Sequence, residues 1–195
     1  MIEKENVLWQ VAQQMMANLQ ANNTKLADIT AEKLQSFAEG NGVFAVFYAG
    51  RELGLGIGKD GQVAMLYVDA ASQIVRHLQA ENTGDTGLRR SLAALLAVKY
   101  DLQAKPRSND AEDVDRYDNY ALTAESEAAL TAWMKENLAV GMVEAPADSV
   151  EQLITAMIAG AAPALNLTNN NNNQYGAEVK RCRKQLAAAA RNWQE

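Results

Sequence analysis

Apolar residues recur at helical spacing near the start of the chain and then give way to a strand-like run. The helical period covers residues 5–21 and returns in residues 28–37. Gly40 and Gly42 interrupt it, and residues 43–48 form a continuous run of β-branched and aromatic side chains. The pattern predicts two helices followed by a first strand.

A second strand-like run covers residues 63–68, and a glycine-rich connection at residues 51–61 separates it from the first. This order predicts a β-hairpin with an enlarged loop. Residues 56–61 match the spacing G-x-G-x-x-G, but a dinucleotide-binding turn must follow a strand and open a helix. Here a strand follows, so we interpret the segment as a hairpin loop.

The remaining chain is mainly helical in pattern. Polar residues 101–120 have no apolar period and predict a long excursion, and residues 138–143 predict a short third strand. An asparagine run at residues 169–173 predicts a turn. Helices are predicted at residues 70–80, 86–100, 123–137, 148–158 and 176–193.

Together these elements predict an α/β (α+β) fold with a small, mostly antiparallel sheet of three strands flanked by helices. The 195 residues, 48% of them hydrophobic, suffice for one sizeable core. Within that single compact unit we expect a helical extension (residues 1–39), a core (residues 40–168) and an asparagine-rich turn with a basic helix (residues 169–195).

Charge limits the ways in which the chain can contact nucleic acid. The net charge of −6 argues against a protein that coats nucleic acid nonspecifically. Residues 176–195 carry five basic side chains against two acidic ones, whereas residues 108–127 carry seven acids against Arg116 alone. Any contact with nucleic acid is therefore expected to be local.

Composition also excludes several kinds of site. A single Cys182 excludes an internal disulfide, and with one histidine, His77, a zinc site of the usual Cys/His type cannot be assembled. No apolar run reaches the roughly 18 residues of a membrane helix, and the first residues lack the order of a signal peptide. We expect a cytoplasmic protein without a membrane partner.

Several short motifs follow one another in a fixed order. They are Gly42-Val43-Phe44, Leu66-Tyr67-Val68-Asp69, Arg76-His77, the LRRSL helix at residues 88–92, the LxxWMxxxL pattern at residues 130–138, Glu151, and PALNL at residues 163–167. This ordered set resembles the GIY-YIG nuclease family over about residues 40–191. Each motif is weak alone, and their order carries the resemblance.

The resemblance implies a divalent-metal-dependent DNA endonuclease. It places Tyr67, Arg76 and Glu151 at catalytic positions: the tyrosine orients or deprotonates water, the arginine binds the phosphate, and the glutamate holds Mg²⁺ or Mn²⁺. We expect further substrate contacts from residues beside or beyond these positions, namely His77, Asn166, Lys180, Arg181 and Lys184.

Two positions depart from the family pattern. Phe44 stands where the first motif has tyrosine, so the hydroxyl beside the nucleophile is absent. Asp69 stands where the second motif ends in glycine and adds a carboxylate that opposes phosphate binding unless it holds the metal. These changes leave open a catalytically inactive DNA-binding or protein-interaction module, and a protein partner or a homodimer is compatible with either.

Each candidate also has an ordinary structural interpretation. Glu151 stands three residues after Asp148, so the two could form a capping box at the start of a helix. Tyr67 could be a core tyrosine, Arg76 a surface arginine and His77 a structural histidine. The basic residues of the last helix could simply be solvated.

Overall fold

The computed structural model describes residues 2–48, 50, 53–58 and 63–194. The helices of this part are α1 (Ile2–Ala21), α2 (Ala31–Ala38), α3 (Ile74–Gln79), α4 (Gly87–Tyr100), α5 (Ala124–Asn137), α6 (Val150–Ala161) and α7 (Gly176–Arg191). The strands are β1 (Thr24–Lys25), β2 (Gly42–Tyr48), β3 (Ala64–Ala70), β4 (Ala104–Lys105), β5 (Ala121–Leu122) and β6 (Leu138–Glu144). No helix among the described residues is long and apolar enough to cross a membrane.

The main sheet has the strand order β1-β6-β2-β3, and every pair is antiparallel. The predicted fold class is confirmed, but the sheet has four strands rather than three. The additional strand is β1, which pairs with β6 through Thr24 and Lys25. Two residues are too few to show the alternation by which a strand is recognised in a sequence.

Both faces of the central strand β2 are buried, because helices cover the sheet on each side. Phe44, Val46 and Tyr48 face a core formed with α2, α3, α4, α5 and α7. Val43 and Phe47 face a second core formed with α1 and α6. This burial explains why residues 43–48 are uniformly apolar rather than alternating.

A register shift in the β2/β3 pair decides which way the end of β3 faces. Val46 pairs with Tyr67 and Phe47 pairs with Met65, so Leu66 is the extra residue of a β-bulge. Leu66 and Tyr67 consequently pack against the same core, on the side of α3 and α4.

A short pair of strands joins the two ends of the predicted excursion at residues 101–120. Strands β4 and β5 pair there, and Arg107 binds Asp113 within the loop through two hydrogen bonds of 2.9 and 2.6 Å. In the predicted hairpin loop, Gly54 and Ile57 form an isolated bridge, whereas residues 51–52 and 59–62 lie outside the described residues.

The asparagine run forms a turn whose amides bind backbone carbonyls. Asn170 Nδ2 donates to the carbonyl oxygens of Pro163 and Asn166 at 2.9 and 3.1 Å. Asn173 Nδ2 donates to the carbonyl oxygen of Ala164 at 3.0 Å. The run therefore closes around the segment that follows α6 and holds it in place.

Close approach of α1 to β6 requires glycine at position 141. A Cβ atom there would fall on the backbone of Leu19 in α1, whereas a Cβ atom at Gly87 would meet open space. We expect Gly141→Ala to lower the free energy of unfolding by about 1–3 kcal/mol, because a backbone contact cannot rotate away. Gly87→Ala is the matched control and should leave stability unchanged or slightly raised. Urea unfolding measures both, and equal stability of the two variants would contradict the packing described.

Candidate functional site

The segment after α6 covers the exposed edge of β3. Leu165 N donates to the carbonyl oxygen of Leu66 at 2.8 Å. The buried amide of Asn166 then exchanges two hydrogen bonds with Val68: Oδ1 accepts from N at 2.9 Å, and Nδ2 donates to the carbonyl oxygen at 3.0 Å. An edge strand needs such partners for its backbone groups. Both ends of the Asn166 amide are therefore engaged with β3.

An open cleft of about 780 Å³ lies between the end of β3, α3, the start of α4 and the first turns of α6. Among the residues that line it are Tyr67, Arg76, His77, Glu151 and Asn166. The structure thus brings five of the predicted site residues together, although they come from four separate parts of the chain.

The three basic residues predicted on the last helix do not reach this cleft. Lys180, Arg181 and Lys184 are exposed on α7, outside the residues that line it. Arg181 forms an ion pair of 2.7 Å with Glu178 one turn earlier on the same helix. Any contact of these residues with a substrate would lie beyond the cleft.

Tyr67, Asp69 and His77 form a hydrogen-bonded triangle on one wall of the cleft. The Tyr67 hydroxyl donates to Asp69 Oδ2 at 2.9 Å and lies 3.3 Å from His77 Nε2. His77 Nε2 also lies 3.3 Å from Asp69 Oδ2, while Asp69 Oδ1 accepts from Ala70 N at 2.8 Å. The Asp69 carboxylate thus has partners on both of its oxygens.

These contacts set the protonation states of the triangle. Burial and, after it, the neighbouring Asp69 charge raise the pKa of Tyr67 far above its usual range. Burial alone would raise the pKa of Asp69, but hydrogen bonds from His77, the Ala70 amide and Tyr67 outweigh burial and lower the pKa. At neutral pH Tyr67 is therefore a phenol and Asp69 a carboxylate.

Phe44 lies directly behind this triangle. Its side chain is fully buried, and its ring centroid lies 6.4 Å from that of Tyr67 and 6.2 Å from that of His77. The residue at this position supports the rings of the site by packing and offers no polar atom to the cleft.

Two arginines reach the cleft, and only Arg76 was predicted. Arg76 Nη2 donates to the carbonyl oxygen of Asp85 at 3.0 Å, and Arg90 Nη1 donates to the neighbouring carbonyl oxygen of Gly84. Arg90 also lines the cleft. The adjacent pair Arg89-Arg90 was the signal available in the sequence, because successive residues of a helix point about 100° apart.

Arg89 points inward and fixes the loop that holds the other two arginines. Its side chain is 1% exposed, and Nη2 lies 2.8 Å from Glu127 Oε2 on α5. The same carboxylate accepts from Thr83 N and Thr83 Oγ1, both at 2.7 Å. Thr83 begins the loop whose carbonyls bind Arg76 and Arg90. A buried ion pair therefore supports the positively charged wall of the cleft.

Glu151 stands in the first turn of α6 on the opposite side of the cleft. Its side chain is exposed, and within the described part of the chain its carboxylate has no hydrogen-bond or ion-pair partner. The capping box with Asp148 is not formed, because Ser149 occupies the cap position without a side-chain cap and itself binds Asp148 Oδ1 at 3.0 Å. The Glu151 carboxylate is thus available to a ligand.

The donor set suits a cation that keeps most of its water. The described residues contain no group of three or more His, Cys, Asp or Glu side chains that could hold a metal. Mg²⁺ is commonly bound through one or two carboxylates, water and substrate phosphate. The free carboxylate of Glu151, in a cleft that two arginines also line, fits such a cation in the presence of a phosphate.

Comparison with known proteins assigns the family. The sequence model of the GIY-YIG catalytic domain matches residues 57–185, more than half of the chain. The chain belongs to the GIY-YIG family. Searches of curated proteins and of solved structures give no match.

GIY-YIG membership indicates a nuclease-type function with DNA as the substrate class. Nucleases of this family generally depend on a metal. The matched range begins after β2, so Phe44 lies outside it, whereas Tyr67, Arg76, Glu151 and Asn166 lie within it.

The buried ion pair gives a first prediction for this site. Glu127→Gln removes the negative charge opposite Arg89, and an unpaired buried charge costs about 3–5 kcal/mol of unfolding free energy. Glu125→Gln, two residues earlier and exposed, is the control and should change stability by less than about 0.5 kcal/mol. Chemical denaturation measures both, and a Glu127→Gln variant as stable as the control would contradict the support described.

The lowered pKa of Asp69 gives a second prediction. A carboxylate whose pKa is lower in the folded state stabilises the fold above its unfolded pKa of about 3.9, and that contribution is lost as pH falls through the folded value. The stability difference between the wild type and Asp69→Asn should therefore be largest near neutral pH and shrink below about pH 4. Urea unfolding across this pH range measures the difference. A difference that stays constant or widens at low pH would contradict the assignment.

Proposed function

We propose that this chain is a divergent, divalent-metal-dependent DNA endonuclease that hydrolyses a phosphodiester bond. The observation that supports the proposal most directly is the convergence of Tyr67, Arg76 and Glu151, from β3, α3 and α6, on one open cleft. Each carries the chemistry that its position requires: a polarised hydroxyl, a fixed cation and a free carboxylate.

Glu151 would hold Mg²⁺ or Mn²⁺. When bound, such a cation polarises the phosphate and stabilises the leaving oxygen. Arg76 faces the same space and is anchored by the Asp85 carbonyl, so its remaining N–H groups can donate to the phosphoryl oxygens as charge builds during the reaction.

Tyr67 and Asp69 would together activate the attacking water. The Tyr67 hydroxyl donates a hydrogen bond to Asp69, which leaves a lone pair of the phenolic oxygen free to accept a hydrogen bond from water. As the water oxygen bonds to phosphorus and the bond from phosphorus to the leaving oxygen breaks, a water proton passes to the Tyr67 oxygen and the Tyr67 proton passes to Asp69. His77 holds the pair in place. This relay would compensate for the hydroxyl that Phe44 lacks.

Two further groups have supporting roles in this proposal. Asn166 fixes the end of β3 through Val68 and so positions Tyr67 and Asp69. The exposed residues of α7 would contact DNA beyond the cleft, where their charge is solvated in the free protein. These residues are Lys180, Arg181 and Lys184.

A second candidate is a catalytically inactive DNA-binding or protein-interaction module. The fully buried phenyl ring of Phe44 favours it, because the residue at this position cannot contact the nucleophile. Cleavage distinguishes the two candidates, since both allow DNA binding but only the first hydrolyses the strand.

The test is a plasmid cleavage assay in Mg²⁺ or Mn²⁺. Wild-type protein should nick or linearise the plasmid, and Arg76→Ala and Glu151→Gln should each lower the rate by about 100-fold or more, since each removes a group that stabilises the transition state. The matched controls Lys135→Ala and Glu136→Gln alter exposed residues of α5 outside the cleft and should cleave like wild type.

Two results would count against the nuclease. Folded wild-type protein that does not cleave under varied metal and salt conditions would favour the inactive module. Cleavage that persists in both Arg76→Ala and Glu151→Gln would show that the assigned residues do not perform the reaction.

A further inference from the structure

A second cavity lies beside the cleft and shares a wall with it. It has a volume of about 660 Å³, and Arg76, Asp85 and Arg90 line both spaces. Arg107 and Asn119 line the second cavity but not the cleft. A linear polymer bound in the cleft could extend into this cavity past the two shared arginines.

The positive charge of this shared wall is only partly balanced within the described residues. The side-chain hydrogen bonds of Arg76 and Arg90 go to backbone carbonyls, and neither residue forms an ion pair with a described carboxylate. Arg107 differs, because it is paired with Asp113 at 2.6 Å. Asp85 contributes one carboxylate at the wall. Arg76 and Arg90 outnumber that carboxylate, so the shared wall keeps a net positive charge in a chain whose net charge is −6.

The guanidinium of Arg90 is partly buried and has no ion-pair partner among the described carboxylates. Its Nε atom is buried and has no hydrogen-bond partner among the described atoms. Burial lowers the pKa of Arg90 to about 10, and the nearby positive charges of Arg183, Arg107 and Arg76 act in the same direction. An anion beside Arg90 would offset the burial and the neighbouring positive charges, because it supplies an opposite charge to a partly buried guanidinium.

We propose that the second cavity binds a backbone phosphate of the DNA strand next to the scissile phosphate, with Arg90 as its main ligand. Arg76 then contacts the scissile phosphate in the cleft, and Arg90 contacts its neighbour on the same strand. The two contacts fix the position of the strand relative to Glu151. This inference rests on the proposed function, because it takes DNA as the ligand.

The salt dependence of DNA binding tests this assignment without requiring cleavage. Affinity for a short fluorescein-labelled duplex is measured by anisotropy in EDTA over a series of salt concentrations. Each phosphate contact adds about 0.9 to the slope of log K against log salt. Arg90→Gln should reduce the magnitude of that slope by about 0.9 and weaken binding roughly tenfold. The double variant with Arg76→Gln and Arg90→Gln should reduce the magnitude by about 1.8.

Two further variants and a check of folding make the result specific. Lys135→Gln removes a charge from an exposed residue of α5 outside both cavities and should keep the wild-type slope. Arg90→Lys keeps a charge in the cavity and should retain most of the slope, which a purely structural role for the guanidinium would not predict. Circular dichroism is used to check that each variant is folded.

The opposing outcomes are distinct. An unchanged slope for Arg90→Gln, or a double variant that loses only about 0.9, overturns the second phosphate site, because two arginines would then share one phosphate or contact none. Binding of inorganic phosphate is measured by calorimetry. If Arg90→Gln abolishes that binding but leaves the salt slope of DNA binding unchanged, the cavity is a site for a free anion and the second phosphate site is overturned. Wild-type protein that binds no DNA overturns this inference and the proposed function together, whereas cleavage with an unchanged Arg90→Gln slope overturns this inference alone.

Discussion

The open edge of β3 is the constraint on which the site depends. A strand with a neighbour on one side leaves backbone groups that need partners, and here the segment after α6 provides them through Leu165 and Asn166. Because that segment directly follows α6, satisfying the edge also brings the helix that carries Glu151 to the same end of the sheet as Tyr67. A requirement of backbone hydrogen bonding therefore places a carboxylate opposite a hydroxyl.

The two sides of the cleft are built in different ways. The Tyr67 wall is supported by aromatic packing on Phe44 and by hydrogen bonds to Asp69 and His77, all close to β3. The arginine wall is supported indirectly by the ion pair of Arg89 and Glu127. Glu127 binds the backbone of Thr83, and the loop that follows Thr83 binds the two arginines of the cleft. The hydrogen bonds of the first wall determine which of its side chains carry protons. The second wall holds the positive charges of Arg76 and Arg90 in place.

Much of this fold is visible in the sequence, because it arises from repeating patterns. Residues 43–48 are apolar throughout because helices cover both faces of β2, and the stripe of α6 reflects one buried side. Strand β1 was missed because two paired residues have no period. The asparagine run indicated a turn, but only the structure shows that its amides bind the carbonyls of the segment beside β3.

The site was accessible to prediction only in part, for a similar reason. Motif order pointed to Tyr67, Arg76 and Glu151, which the structure brings to one cleft, whereas the different positions of Arg89 and Arg90 depend on which side of α4 is buried. Likewise, Asp69 looked like an unfavourable charge because the sequence does not show that Tyr67, His77 and the Ala70 amide all contact its carboxylate. Local patterns report burial, but the partners of a side chain become visible only in three dimensions.

The bond between Val68 and Asn166 spans 98 positions of the chain. A contact between such distant residues must overcome the entropy cost of closing a long loop before it can add stability. During synthesis, β3 therefore emerges well before the segment that covers it, and the cleft does not exist in that interval. A ligand can therefore bind in the cleft only after synthesis has passed Asn166.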